Sequence, residues 1–173
     1  MAEIIKTYSE NLPALRFIGK KYSDDDRAYG TFGAKWGEWF EKGYFAQLEA
    51  LFDGKPSEIY PDGDAYLGLM RCKDGEPFEY WIGMFLPENT PVPEDYGFVD
   101  FSESKIGVAW VYGEEWDVYC KEGDCMEALG KAGIELDLNK NGAQWCFERY
   151  GCPRFTTPDE NGKIILDLCF FAK

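Results

Sequence analysis

The chain contains no histidine in 173 residues. That removes Ser-His-Asp and Cys-His catalysis, histidine-ligated zinc and any imidazole general base. Basic residues are scarce as well: 18 Lys and Arg stand against 32 Asp and Glu, a formal net charge of -14. Such a surface repels a phosphate backbone and an anionic bilayer, so direct binding to nucleic acid or membrane is not expected. The same field concentrates cations. The six cysteines include no Cys-x-x-Cys pair, and the charged start MAEIIKTYSE has no apolar core of a secretory signal. Reduced thiols and a cytoplasmic location are therefore expected. No apolar run approaches bilayer-spanning length. The acidic run Ser23 to Asp26 lacks the twelve-residue spacing and terminal Glu of a calcium loop and reads as a solvated turn, so no metal or cofactor is expected.

Aromatic residues, by contrast, are abundant: 17% of the chain, with six Trp. Most belong in a core, which this length can support as one domain, and a minority suit a cleft that needs an apolar wall with a polar tip.

Leu15 to Tyr22 alternates as a strand does. From about 32 to 52 the spacing turns helical, with Trp36, Phe40, Tyr44, Leu48 and Leu51 on one stripe and Trp39 at its edge. Gly43 marks a kink. Residues 65–72 and 78–86 form two strands joined through Lys73-Asp74-Gly75. After the proline-rich connector 87–93 the order returns: a strand at 105–112, a helix near 114–133, and strands at 144–150 and 164–172. Strand–helix–strand–strand thus occurs twice, in halves of about 5–90 and 95–173. The expected fold is α+β, a pseudo-twofold pair of βαββ units with two helices on one face of an antiparallel sheet. A cleft between the halves is expected on the side away from the helices.

Several stretches resemble a known family. LPALRFIGKKY at 12–22, the Trp-bearing AKWGEWFEKGYF at 34–45, and FEYWIGMFLPENTPVPEDYGFVDFSESKIGVAWVYG at 78–113 look like the GyrI-like, AraC-type effector-binding domain. The most specific part is the crossover NTPVPEDYGFVDF followed by VAWVYG; FERY at 147–150 is similar to the family's Glu-x-Tyr. The resemblance implies two βαββ halves around a groove whose central acid, ringed by aromatics, binds cationic or amphipathic organic molecules. It also implies a free-standing member, since no length is left for a helix-turn-helix. Some such members are similar to hydrolases of strained cyclopropane rings, and another is associated with gyrase inhibition.

Glu148 and Tyr150 share one strand face, and Trp145, Phe147 and Arg149 share the other. Packing Trp145 and Phe147 beneath the helices turns Glu148 toward the cleft. A carboxylate between aromatic walls loses hydration and favours an organic cation, which the rings also attract. Further wall candidates are Trp110 with Tyr112, Glu79 with Trp81, and Trp39. On 78–86 alternation leaves two faces open, Glu79, Trp81 and Phe85 against Phe78, Tyr80, Ile82 and Met84; the cost of a core Glu favours the former for the cleft. Three functions follow: a receptor for hydrophobic or cationic small molecules, a small hydrolase with Glu148 as general base, or a protein-interaction module acting through its acidic surface.

Overall fold

In the computed structural model, which describes residues 1–173, the chain folds around eight strands and three short helices. In chain order these are β1 (Glu3–Leu12), β2 (Leu15–Tyr22), α1 (Gly33–Glu41), α2 (Tyr44–Glu49), β3 (Tyr66–Cys72) and β4 (Glu79–Pro87). The second series is β5 (Gly97–Phe101), β6 (Ser104–Gly113), α3 (Glu122–Lys131), β7 (Gln144–Tyr150) and β8 (Ile164–Ala172). One antiparallel sheet runs β1-β6-β8-β7-β3-β4-β2-β5.

The duplication is plain in that order. The first half contributes β2-β4-β3, the second β6-β8-β7, and the two meet where β3 pairs with β7. Two strands join the expected set, and each crosses over: β1 precedes β2 but pairs with β6, and β5 precedes β6 but pairs with β2. These exchanged edge strands stitch the halves together. Neither carries a strong apolar alternation, because an edge strand is only partly covered.

The helices are shorter than periodicity predicts. Gly43 takes a left-handed conformation, φ 68°, which ends α1 and lets the chain re-enter as α2. Trp39 is fully buried, whereas Phe40 is 60% exposed, so the inward face of α1 lies one residue off the expected stripe. In the second half only a 3-10 turn at Glu115–Asp117 precedes α3; the left-handed Cys120, φ 58°, separates them. Trp116 accordingly projects into solvent.

Both faces of the sheet are buried, in different ways. Ile82, Met84, Ala109, Val111, Leu166 and Leu168 lie beneath the helices. The opposite face closes on itself. Phe101 on β5 and Phe171 on β8 are five strands apart, which on a flat sheet is roughly 24 Å. Their rings nevertheless stack at 4.7 Å, so the sheet curls until its first-half edge covers its second-half strands. Phe85 against Phe147 at 5.4 Å fills the interior of the curl. At one end an ionic clasp holds it: the buried Arg149 reaches Asp167 at 2.9 Å, Glu10 of β1 at 2.7 Å and Asp62 at 3.3 Å.

Trp145 and Phe147 point into the curl, not beneath the helices. This reverses the packing expected from sequence. The cleft is correspondingly on the helix face, between the helical segments of the two halves, not on the far side. Glu148 reaches it because its parity is opposite to that of Phe147, whichever layer the latter fills.

Candidate functional site

The floor of the cleft is the β3–β7 seam with β4 beside it, the place where the two halves pair. Side chains of one parity rise from it: Met70 from β3, Tyr80 from β4, and Cys146, Glu148 and Tyr150 from β7. Phe32 and Trp36 of the first half form one wall, Tyr119 and Glu122 of the second half another, and Phe155 closes the end beyond Tyr150. The enclosed volume is about 960 Å³, at the upper end of what small-molecule sites use.

Glu148 sits at the centre, 7% exposed. Tyr80 Oη donates to its Oε2 at 2.9 Å, and Tyr150 Oη donates to the same oxygen at 2.8 Å. Trp36 Nε1 in turn donates to Tyr80 Oη at 3.0 Å, fixing that phenol. No protein donor bonds Oε1, so one face of the carboxylate is left for an occupant. Burial raises the Glu148 pKa from the ordinary 4.5 to about 7; the bonds from Tyr150 and Tyr80 oppose the rise, and the charge of Glu122 adds to it. Burial, then the neighbouring Glu148, holds both phenols well above their usual range, so they remain neutral donors.

Gly68 makes this arrangement possible. It faces Glu148 across the β3–β7 ladder, and a Cβ there would lie 2.4 Å from Tyr80 Oη and 2.7 Å from Glu148 Oε2. Only a residue without a side chain lets the carboxylate and phenol meet over the strand.

The rings around the acid are organised. Phe32 stacks on Tyr80 at 4.2 Å, Trp36 packs against Tyr150 at 4.7 Å, and Phe155 meets the other side of Tyr150 at 4.6 Å. The guanidinium of Arg27 lies over Phe32 at 4.4 Å while its Nε bonds Asp24 at 2.8 Å, so this wall already holds one cation against its π face. Of the charged residues lining the cleft only Arg27 is basic; Asp64, Glu115, Glu122 and Glu148 are acidic. No cluster of acidic residues and cysteines has metal-binding geometry. Desolvation raises the pKa of three of the lining thiols, Cys72, Cys120 and Cys146, so none of these three is poised as a thiolate nucleophile. The arrangement can desolvate and hold a cation, and its central carboxylate can exchange a proton near neutral pH.

Among the residues expected here, the structure brings Glu148 and Tyr150 together. Trp39 is in the core under α1, its Nε1 donating to Tyr22 Oη at 2.8 Å. Glu79 and Trp81 lie on the other face of β4 and bond each other at 3.0 Å. The cost of burying Glu79 did not decide the face, because the rim of the curl leaves that carboxylate accessible to Lys21 and Arg71. Trp110 also faces the curled side, edge-on to Tyr8 at 6.1 Å, and Tyr112 donates to Asp159 near the strand end. Their parity is that of Ile106 and Val108, while Ala109 and Val111 face the helices.

Sequence reasoning missed Tyr80, Phe32, Phe155 and Gly68 as site residues. Tyr80 shares the parity of Ile82 and Met84 and so resembles core. Gly68, a glycine inside a strand, carried the one usable signal, since that pattern marks a close approach.

No protein-family model matches the chain, and neither does any curated protein. Solved structures do match across nearly its full length. A Staphylococcus aureus protein assigned to bacterial transcription regulation is 19% identical, with a TM-score of 0.64 over 98% of this chain and 99% of that one. The protein SAV2435, solved bound to tetraphenylphosphonium, is 17% identical, with a TM-score of 0.68 over 98% and 94%. A hydrolase from Listeria innocua is 11% identical, with a TM-score of 0.52 over 97% and 92%. At these identities the likeness is one of fold: the chain shares the α+β, antiparallel-sheet fold of these proteins.

Proposed function

We propose that the protein is a receptor for hydrophobic organic cations, which enter the cleft and place their positive centre at Glu148. The observation that carries this reading is a buried carboxylate with one bonded and one free oxygen inside an aromatic enclosure. Two phenols orient the acid without neutralising it, and the rings supply apolar contact plus cation–π attraction of about 0.5–2 kcal/mol each. The tetraphenylphosphonium bound by SAV2435 belongs to this ligand class. It works in the cytoplasm, where its free cysteines stay reduced, and without contacting DNA, since its charge of -14 opposes a phosphate backbone. No helix is long and apolar enough to cross a membrane.

A hydrolytic reading is favoured by one feature. A carboxylate with a pKa of about 7 and a free Oε1 suits a general base for water, and one structural neighbour is a hydrolase. An interaction role through the acidic surface has no comparable focus.

The test is calorimetric titration with tetraphenylphosphonium and with neutral triphenylphosphine oxide, on the wild type and on Glu148→Gln. The cation is expected to lose about 10- to 150-fold in affinity, equivalent to roughly 1.5–3 kcal/mol for a charge-assisted contact, and the neutral compound far less. Equal response of both ligands refutes the receptor reading. Turnover of an electrophilic substrate that vanishes in Glu148→Gln selects the hydrolase.

A further inference from the structure

The cleft floor is chemically graded from one end to the other. Along the β3–β7 ladder the cross-strand rows run Tyr66/Tyr150, Gly68/Glu148, Met70/Cys146 and Cys72/Gln144. The first two rows hold Tyr66, Tyr150 and the acid, and Tyr80 of β4 stands beside Met70 of the third. The last two carry sulfur, and Cys120 adds a further lining thiol from the second-half wall. Cys72, Cys120, Cys146, Glu122 and Glu148 all line the one cleft. Four residues of strand separate Glu148 from Gln144, roughly 13 Å of floor. One further thiol, the exposed Cys152, lies beyond Tyr150 at the opposite end.

Neutral thiols and a thioether form a soft, weakly polar surface. They contact aromatic rings favourably, by about 0.3–1.5 kcal/mol for a sulfur–ring pair. A saturated chain gains burial there but not that attraction. Desolvation holds these thiols above their usual range, so at neutral pH the sulfur end is a polarizable wall and not an anionic one.

We infer that the ligand lies lengthwise, its cationic head at Glu148 and a polarizable aryl tail on the sulfur-lined end formed by Met70, Cys72, Cys120 and Cys146. This rests on the receptor reading and narrows its ligands to amphipathic cations with an aromatic tail about one ring beyond a short linker. The enclosed volume of about 960 Å³ accommodates both parts.

Three probes test it: tetraethylammonium, which has only a head, and a triethylammonium head joined through a butyl linker to phenyl or to cyclohexyl. The phenyl probe is expected to bind about 2- to 10-fold more tightly than the cyclohexyl probe. That preference should fall in Met70→Leu/Cys72→Ala/Cys120→Ala, which removes three of the four sulfurs. A second measurement uses unmodified protein and so does not depend on the variant folding. Iodoacetamide labelling, located by peptide mass spectrometry, should be slowed at Cys72 and Cys120 by the phenyl probe, with Cys152 left reactive and tetraethylammonium protecting neither end. Equal affinity for the phenyl and cyclohexyl probes, or protection of Cys152 instead, overturns the inference and leaves the receptor reading intact. Failure of all three cations to bind wild type overturns the receptor reading itself.

Discussion

Replacing Glu148 by Gln should make the protein more stable while making it a poorer receptor, and the size of each effect follows from the same geometry. The amide oxygen can still accept from Tyr80 and Tyr150, so the packing around the site is kept. What disappears is a charge held where burial disfavours it. Raising the pKa from 4.5 to about 7 corresponds to a cost of about 3 kcal/mol for the ionised form in the folded state. A carboxyl with a raised folded pKa binds its proton more tightly folded than unfolded. The cost is therefore absent below about pH 4.5, grows as pH rises through the interval, and is complete above about pH 7. Urea denaturation of wild type and Glu148→Gln should accordingly give similar stabilities near pH 4.5 and diverge by up to about 3 kcal/mol near pH 8, with the variant more stable. Binding runs the other way. A permanent cation selects the ionised acid, so wild-type affinity should rise about tenfold between pH 6 and pH 8, and the variant's should stay flat. Parallel stability curves for the two proteins across this range, or a cation affinity independent of pH in the wild type, would refute the argument that a desolvated carboxylate is the centre of the site.

Three more outcomes are expected. Gly68→Ala places a Cβ between Tyr80 and Glu148, which should cost about 1–3 kcal/mol in denaturant titration and weaken cation binding at pH 7, because the displaced phenol no longer supports the anion; a variant that keeps both wild-type stability and affinity contradicts the close approach. Arg149→Met leaves the half-buried Glu10 without this cation and Asp167 with Arg154 alone, whose Nε donates to it at 2.7 Å, so a loss of about 3 kcal/mol, the low end for a broken buried pair, is expected in denaturant titration; a loss under about 1 kcal/mol means the clasp does not hold the curl. Gel-shift titration with duplex DNA at physiological salt should show no sub-micromolar complex, and one that forms would disprove the reading that acidity keeps the protein off nucleic acid.

Much of this molecule is legible along the chain, and the limits fall where contacts become non-local. Alternation located β2, β3, β4, β6, β7 and β8, because strands buried on both faces are dense in apolar residues, and the repeated order identified the duplication. Glycine placed the break at residue 43, since only a residue without Cβ enters the left-handed region cheaply. The Glu148–Tyr150 pair was visible as a carboxylate and a phenol of one parity on one strand. Which layer each parity entered was not. That depended on a sheet curling until Phe101 met Phe171, a contact between residues far apart in sequence that neither segment encodes by itself. Alternation leaves the face of β4 open, and the cost of a core Glu favours Glu79 and Trp81 for the cleft, although Tyr80 holds the acid. Periodicity fixes which side chains travel together. Tertiary packing decides what they face, because a two-sided strand satisfies either assignment until its neighbours bury one side against helices and the other against the sheet itself.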